Sequence, residues 1–313
     1  MRLKTSMICV MIVSITMITG CKVREYKVSE QKVTSSKVDK SSYSLADQEI
    51  KTIEKSEYEE SDIVYYVEDE FELARILEYN INKGVSKISY QAPDKMDMDK
   101  TANYLSYIEP YDISLQLSTT DYENHQGKLI YRSNEVEIIN LDERYQQAKQ
   151  SAKQVYSEII TPDMDADQKI KAIHDYLIKT TIYSEIGEGN NSKYPNVFKA
   201  AGALVDKNAV CSGYSRAFMM LARLANIPAI YVSSDTMNHG WNLVYGNAGW
   251  RYIDVTWDDP VPDKPNHAEE LYLNVSINEF MRDGKHIFDE DKSSDYFLDV
   301  AKSYFNKNEE VFR

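Results

Sequence analysis

The sequence is poor in cysteine, glycine and proline, and positive charge is outnumbered. Only 3 cysteines, 11 glycines and 8 prolines occur among 313 residues. Three cysteines cannot build a disulfide scaffold. Lys and Arg number 36 against 50 Asp and Glu, and the net charge of -14 argues against a nucleic-acid partner. The hydrophobic share of 42% is ordinary for a globular protein and excludes disorder along the whole chain.

The N-terminus lacks an apolar run long enough to span a bilayer. Arg2 and Lys4 precede 13 uncharged, mostly apolar residues at 7–19, whereas a span needs about 20. This run leads through Ile-Thr-Gly into Cys21 and resembles a bacterial lipoprotein signal, in which the cysteine becomes the lipidated first residue. We expect residues 1–20 to be that signal peptide and the protein to be extracytoplasmic, lipid-anchored to the bacterial cell membrane at Cys21. The alternative is an ordinary secretory signal with a chance cysteine.

Processing at this signal would leave one cysteine in the folded part of the protein. Cys9 would leave with the signal and Cys21 would become the anchor, so that Cys211 remains. Loss of Arg2 and Lys4 would take the net charge from -14 to -16. An unpaired thiol outside the cytoplasm is either buried and inert or reactive and used.

The remaining sequence predicts a tether and two domains. Residues 21–60 are rich in Ser, Lys and Glu without a sustained period, which predicts a disordered tether. Residues 61–145 alternate predicted strands and helices, as a small α+β accessory domain would, and carry no catalytic constellation. Residues 146–313 form the second predicted domain. Periodicity predicts strands at 63–67, 85–90, 113–117, 129–139, 239–245 and 250–256, and helices at 70–82, 97–107, 211–225, 275–281 and 296–305, with another opening at 162–167.

Two acidic runs begin like metal sites and then lack the ligands. The Asp-x-Asp-x-Asp run at 163–167 starts like a calcium loop, but Gln168 and His174 stand where glycine and glutamate are needed. We interpret these acids as a helix start, where negative charge is favoured. His174 lies on the apolar stripe of that helix and predicts a hydrogen-bonded core or boundary residue. The Asp-Asp-Pro run at 258–260 predicts a turn with solvated acids.

Cys211 stands at the start of a predicted helix. The helical pattern that follows it runs to Ala225 and stops before Pro228. The partial positive charge of a helix N-terminus favours a thiolate, which is the nucleophile that acyl chemistry needs. Taken alone, this position fits a buried and inert cysteine more often than a reactive one.

His239 and Asp254 lie on the two strands of a predicted hairpin. If Tyr245 pairs with Trp250, Asp254 is the diagonal neighbour of His239, and a tighter turn would put the two directly opposite. Both registers place them on one face, whereas an odd slip would separate them. A carboxylate beside an imidazole orients it and leaves the other ring nitrogen free to take a thiol proton. The alternative is a surface histidine on a strand.

The sequence around these residues resembles the transglutaminase-like superfamily of papain-type thiol enzymes. The matching segments are IHDYL at 173–177, ALVD at 203–206, CSGYSRAF at 211–218, HGWN at 239–242 and YIDVTWDDP at 252–260. The resemblance implies an α+β fold in which a helix bearing the cysteine packs on an antiparallel sheet. It also implies that Cys211 is the nucleophile, His239 the base and Asp254 the orienting group. Gly240 departs from the family pattern, where alanine is usual.

The same resemblance implies an enzyme that acts on peptide or protein amides through a thioester, which water or an amine then resolves. It implies no cofactor and no metal. We expect substrates at the cell surface, peptidoglycan stem peptides among them, and Trp241 and Trp257 as walls of the site or as plain core. Two alternatives stay open: an inactive surface module that serves as a scaffold, and a fold in which Cys211 is buried away from His239 and Asp254.

Overall fold

The computed structural model describes most of the chain from residue 63 onwards. The described residues are 3–4, 52–54, 63–92, 96–110, 114–123, 129–139, 143–184, 195–259 and 269–305. The predicted lipidation site Cys21, and most of the predicted signal and tether, lie outside them. Among the described residues, no helix combines the length and apolar character that a membrane crossing requires.

Helices and mainly antiparallel sheets make up the described chain, and the predicted α+β class is confirmed. The elements are β1 (Leu3–Lys4), β2 (Thr52–Glu54), β3 (Ile63–Tyr66), α1 (Glu70–Asn82), β4 (Lys87–Gln91), α2 (Met98–Ile108), β5 (Ser114–Glu123), β6 (Leu129–Ile139), α3 (Glu143–Ile159), α4 (Ala166–Thr180), β7 (Ile182–Tyr183), β8 (Asn208–Ala209), α5 (Cys211–Leu224), β9 (Ala229–Ser234), β10 (His239–Gly246), β11 (Gly249–Ile253), α6 (Ile277–Phe280) and α7 (Ser294–Tyr304).

The chain clusters into two compact units. Described residues within 1–36, 45–103 and 113–140 form the first unit, and those within 104–112 and 141–313 form the second. The limits that the sequence suggested for the signal, the tether and the two domains stay predictions.

The first unit is a six-stranded sheet in the order β1-β5-β6-β4-β3-β2. Strands β3 and β4 are parallel, with α1 between them in the chain, and the other pairs are antiparallel. Helix α1 begins where the side chain of Asp69 accepts a hydrogen bond from the Glu72 amide at 2.8 Å. Within the predicted tether, which stays a prediction, Thr52–Glu54 forms β2 and pairs antiparallel with β3. Three residues are too few to show a period.

The second unit is built on the antiparallel sheet β9-β10-β11, with α5 packed on β9 and β10. Helices α3 and α4 pack in turn against α5. Tyr245 pairs with Trp250, which is the first of the two registers considered from the sequence. Strand β11 ends at Ile253 rather than 256, so Asp254 lies just beyond the strand. The helix predicted at 275–281 is a single turn, α6, because Val275 forms a bridge with Tyr252 instead.

Helix α4 begins with a capping box that explains one of the acidic runs. The side chain of Asp165 accepts from the Gln168 amide at 2.9 Å, and the Gln168 side chain accepts from the Asp165 amide at 2.9 Å. The residue that breaks the calcium-loop pattern therefore completes the helix cap. The interpretation of these acids as a helix start is confirmed.

Gly213 allows α5 to begin against the chain that precedes it. A Cβ atom at this position would collide with the carbonyl oxygen of Val197 and would lie 2.9 Å from Cβ of Ala209. The first turn of α5, which carries Cys211, can therefore approach this backbone only when residue 213 has no side chain.

We expect Gly213→Ala to lower the free energy of unfolding by about 1–3 kcal/mol, because backbone must move to make room for the methyl group. Urea unfolding of both proteins measures this difference. Gly284→Ala is the matched control, since its Cβ would meet nothing within 4 Å and only its φ of 66° opposes the substitution. A Gly213→Ala protein as stable as the wild type would contradict the packing argument.

Candidate active site

Asp254 is a buried carboxylate that accepts four hydrogen bonds. Its Oδ1 accepts from the backbone amides of Thr256 and Trp257, each at 3.1 Å. Its Oδ2 accepts from Nε2 of His239 at 2.6 Å and from Nε2 of His286 at 3.0 Å. Burial alone would raise the pKa of this carboxyl, but the charge and hydrogen bond of His239, with the hydrogen bond of His286, hold it below its ordinary value.

His239 is the first residue of β10, and its side chain contacts Asp254, which begins the turn after β11. Burial favours its neutral form, but the charge and hydrogen bond of Asp254, together with the hydrogen bond and charge of Cys211, outweigh burial and raise the pKa of His239 to about 10. The imidazole is therefore an imidazolium at neutral pH. Because Nε2 is engaged by Asp254, Nδ1 is the ring nitrogen left for the thiol.

Cys211 is the first residue of α5 and is only partly buried. Its side chain lies close enough to His239 to raise the pKa of that imidazole. Val210, the N-cap residue, makes no side-chain cap, so the helix start keeps backbone donors that a developing anion could use. The structure thus brings the three sequence-predicted site residues together: Asp254 is hydrogen-bonded to His239, and Cys211 is close enough to His239 to raise its pKa.

The two tryptophans suggested as walls of the site occupy different positions. Trp257 stacks on His239 with ring centroids 5.1 Å apart and an interplanar angle of 25°, and it remains partly exposed. Trp241 is completely buried, with its ring 5.6 Å from that of Phe280 and 5.5 Å from that of Phe288. Trp257 therefore covers the imidazole on the solvent side, whereas Trp241 packs as core behind it.

The departure at Gly240 has a local explanation. A Cβ atom there would collide with the ring of Tyr231, which lies on the neighbouring strand β9. The guanidinium of Arg216 sits over this tyrosine ring, 4.9 Å from its centroid. Glycine beside the site histidine thus makes room for an aromatic ring.

His286 is the site residue that the sequence analysis missed. It lies outside any helix or strand, in a stretch rich in charged residues that looks like an exposed loop. Its side chain is nevertheless fully buried and touches the carboxylate 32 positions earlier in the chain. No periodicity or motif around residue 286 signals this contact.

The expectation that Asp258 and Asp259 are solvated is wrong, because both are buried. Asp258 accepts from the amides of Leu271 and Tyr272 and from Nε2 of His174 at 3.1 Å. Asp259 accepts from the Tyr214 hydroxyl at 2.5 Å. Donors from distant parts of the chain replace water at both carboxylates. His174 is buried, as its place on the apolar stripe predicted. It lies between two carboxylates.

One group of side chains among the described residues has the composition of a metal site. The ligand atoms of His239, Asp254 and His286 lie within 4.8 Å of one another. Histidine nitrogen and carboxylate oxygen are ligands that zinc accepts. The nitrogen–oxygen separations of 2.6 Å and 3.0 Å are those of hydrogen bonds, and we describe the group as hydrogen-bonded. The expectation of no metal stays a prediction.

Asp289 fixes the turn that leads into His239. Its carboxylate accepts from the Ser234 hydroxyl at 3.1 Å and from the amides of Asp235 and Thr236 at 2.9 Å. Burial would raise the pKa of Asp289, but these hydrogen bonds lower it to about 2. The turn between β9 and β10 is therefore held by the same short stretch that supplies His286.

Part of the chain matches a known protein family. Residues 149–255, about a third of the chain, match the family described as the transglutaminase-like superfamily. No curated protein matches the sequence.

Three solved structures resemble the chain at low identity. A TGase is 16% identical, with 54% of this chain and 50% of that chain covered and a TM-score of 0.31. A protein from Cytophaga hutchinsonii assigned as a cysteine protease is 17% identical, with 50% and 69% covered and a TM-score of 0.29. The periplasmic domain of TgpA from Pseudomonas aeruginosa, bound to ethylmercury, is 13% identical, with 50% and 70% covered and a TM-score of 0.25.

This chain spans half the length of the TGase that it matches. The segment matched by the family includes Cys211, His239 and Asp254. Residues 149–255 are thus similar to the transglutaminase-like superfamily, whose family model matches them.

Proposed function

We propose that this chain is a thiol enzyme in which Cys211 is the nucleophile, His239 the general acid and base, and Asp254 the group that orients His239. The observation that carries the proposal is the placement of these three side chains. Asp254 holds His239 at 2.6 Å through Nε2, and Cys211 is close enough to the same ring to raise its pKa. A positively charged imidazolium beside the thiol favours the thiolate, which is the reactive form.

The reaction on an amide follows from this arrangement. The Cys211 thiolate attacks the carbonyl carbon and forms a C–S bond, while the carbonyl oxygen takes the negative charge. The C–N bond then breaks, and the amine leaves with the proton that His239 held. The neutral imidazole next takes a proton from water or from an acceptor amine, which attacks the thioester. When the C–S bond breaks, the thiolate returns beside the imidazolium.

The start of α5 supplies a donor for the carbonyl oxygen. The backbone N–H of Cys211 belongs to the first turn, whose amides have no acceptor within the helix. It lies next to the sulfur, so the oxygen of a bound carbonyl would be within its reach. The helix dipole favours the same negative charge.

The substrates are peptide or protein amides at the cell surface, peptidoglycan stem peptides among them. The amide preference comes from the family and from the chemistry of the three residues. The partly exposed Trp257 and Cys211 leave the site open on one side, which fits an extended substrate. Water or an amine completes the reaction, so the enzyme is a peptidase or amidase, or an acyltransferase.

The enzyme acts outside the cytoplasm, held at the membrane by a lipid on Cys21. The support is the sequence of residues 1–21, with its two positive charges, its short apolar run and the Gly-Cys ending. A single folded thiol in that compartment has no disulfide partner, which agrees with its use in chemistry.

The thiolate–imidazolium pair predicts how Cys211 reacts with iodoacetamide as pH changes. Because the pKa of His239 is raised to about 10, its imidazolium should accompany the thiol throughout the neutral range, and the wild type should alkylate rapidly below pH 7. Mass spectrometry of the Cys211 peptide separates it from Cys9 and Cys21. His239→Ala should lose the low-pH reactivity. Its alkylation rate should rise with pH as that of an ordinary thiol does, with a midpoint near pH ~8.5.

The alkylation profile of Asp254→Asn is expected to lie between those of the wild type and His239→Ala. This variant keeps a hydrogen-bond acceptor but removes the charge that raises the His239 pKa. Lys285→Ala, at an exposed residue, is the control that should behave as the wild type. Identical profiles for the wild type and His239→Ala would refute the ion pair.

An acyl-enzyme should form on Cys211 during turnover of peptide amides. Rapid acid quenching and intact-mass measurement would show the acyl group on the wild type, and Cys211→Ala should lose both the adduct and all turnover. Adding a primary amine tests the second step, because transfer yields a new amide and hydrolysis yields a free acid. Turnover that survives in Cys211→Ala would contradict the proposed nucleophile. If Cys211 alkylates as an ordinary thiol and no acyl adduct forms, these results would favour the inactive scaffold.

The anchor can be tested by changing one residue. In a bacterial host, the wild-type protein should sediment with membranes and incorporate labelled fatty acid, whereas Cys21→Ser should incorporate none. Incorporation that persists in Cys21→Ser would place the lipid elsewhere.

A further inference from the structure

The carboxylate oxygen that orients His239 has a second histidine donor. Nε2 of His286 lies 3.0 Å from Oδ2 of Asp254, and Nε2 of His239 lies 2.6 Å from the same oxygen. The His286 side chain is fully buried, whereas that of His239 is 9% exposed. The site therefore has two imidazoles on one carboxylate, and the mechanism given above uses only one of them.

The surroundings of His286 fix which nitrogen carries its proton. Its ring packs against the rings of Phe280, Trp257 and Tyr272, with centroids 3.8, 4.2 and 4.7 Å away. Its Nδ1 is buried and has no hydrogen-bond partner among the residues that the structure describes. A proton on Nδ1 would be a buried donor without an acceptor, which is costly, so the proton belongs on Nε2, where Asp254 accepts it.

The polar and charged groups that face His286 are few. Asp254 and His239 lie on one side, and Tyr272 lies on the other with its hydroxyl donating to Asp283 at 2.5 Å. Asp283 also interacts electrostatically with His286. Asp254 is the one carboxylate among them in hydrogen-bond contact with the ring, so His286 acts on the site through that oxygen.

We propose that His286 is a positioning residue that shares Asp254 with His239 and thereby keeps the His239 imidazolium able to release its proton to the leaving amine. A carboxylate that accepts four donors spreads its negative charge over all of them. Removing one donor concentrates this charge on the others, so the imidazolium is held more tightly and becomes a weaker acid. The functional half of this proposal rests on the proposed function, but the effect on His239 does not.

The choice of variants separates the shape of His286 from its hydrogen bond. His286→Phe keeps an aromatic ring among Phe280, Trp257 and Tyr272 and removes the N–H. His286→Gln can place an amide N–H near the position of Nε2 and loses the ring. Both are made in full-length protein that also carries Cys211→Ala, because thiol and imidazole would otherwise titrate as a coupled pair.

The measurement is a pH titration of the His239 imidazole by NMR of protein with ¹⁵N-labelled histidine. The parent protein should show His286 with its proton on Nε2. His286→Phe should move the His239 inflection upward by about one pH unit, and His286→Gln should restore it toward the parent value. With Cys211 intact, His286→Phe should also slow acyl-enzyme formation several-fold, because the leaving amine waits for a weaker acid.

The opposite results would overturn the proposal. If the His239 inflection stays unchanged or falls in His286→Phe, His286 only supports the packing around Asp254. A proton on Nδ1 of His286 in the parent protein would exclude the shared hydrogen bond even if neither variant folds. If instead the inflection shifts as expected while Cys211 shows no reactivity, the inference about His286 stands and the proposed thiol enzyme fails.

Discussion

The second unit is organised around a buried negative charge, the carboxylate of Asp254. A buried carboxylate is tolerable only when donors occupy its oxygens, and Asp254 obtains four of them from three stretches of the chain. Strand β10 supplies His239, the turn after β11 supplies two amides, and the stretch before α7 supplies His286. Since each donor must reach the same carboxylate, the positions of these stretches are fixed relative to one another. The thiol gains its charged neighbour as a consequence.

A second buried carboxylate, four residues later, supports the first. Asp258 holds the amides of Leu271 and Tyr272, and the carbonyl of Tyr272 accepts from the amide of Asp254 at 3.2 Å. Its histidine partner, His174, comes from α4, which packs against the helix that carries Cys211. The contacts Asp258–His174 and Asp254–His286 therefore connect the turn after β11 with helix α4 and with the stretch before α7. Such buried polar networks favour one arrangement, because every unsatisfied alternative leaves a charge without a partner.

The sequence predicts features that depend on neighbouring residues, but not contacts between residues far apart in the chain. The stripe along α4, the helix after Cys211 and the pairing of Tyr245 with Trp250 depend on neighbouring residues, and the sequence predicts them well. The meeting of Cys211, His239 and Asp254 was suggested by the hairpin and the family motifs together. Solvation of Asp258 was predicted wrongly, because its histidine partner lies 84 positions away. His286 was missed for the same reason: a surface-like composition hides a contact made only in three dimensions.

Residues 286–289 carry both His286 and Asp289, one on the carboxylate and the other on the turn that precedes His239. A ribosome makes Cys211, His239 and Asp254 well before it makes this stretch. The growing chain thus holds all three reacting groups before it holds the residues that lock them in place. The centre is therefore complete only after residues 286–289 have been made and have folded against Asp254 and the turn before His239, rather than when the thiol first appears.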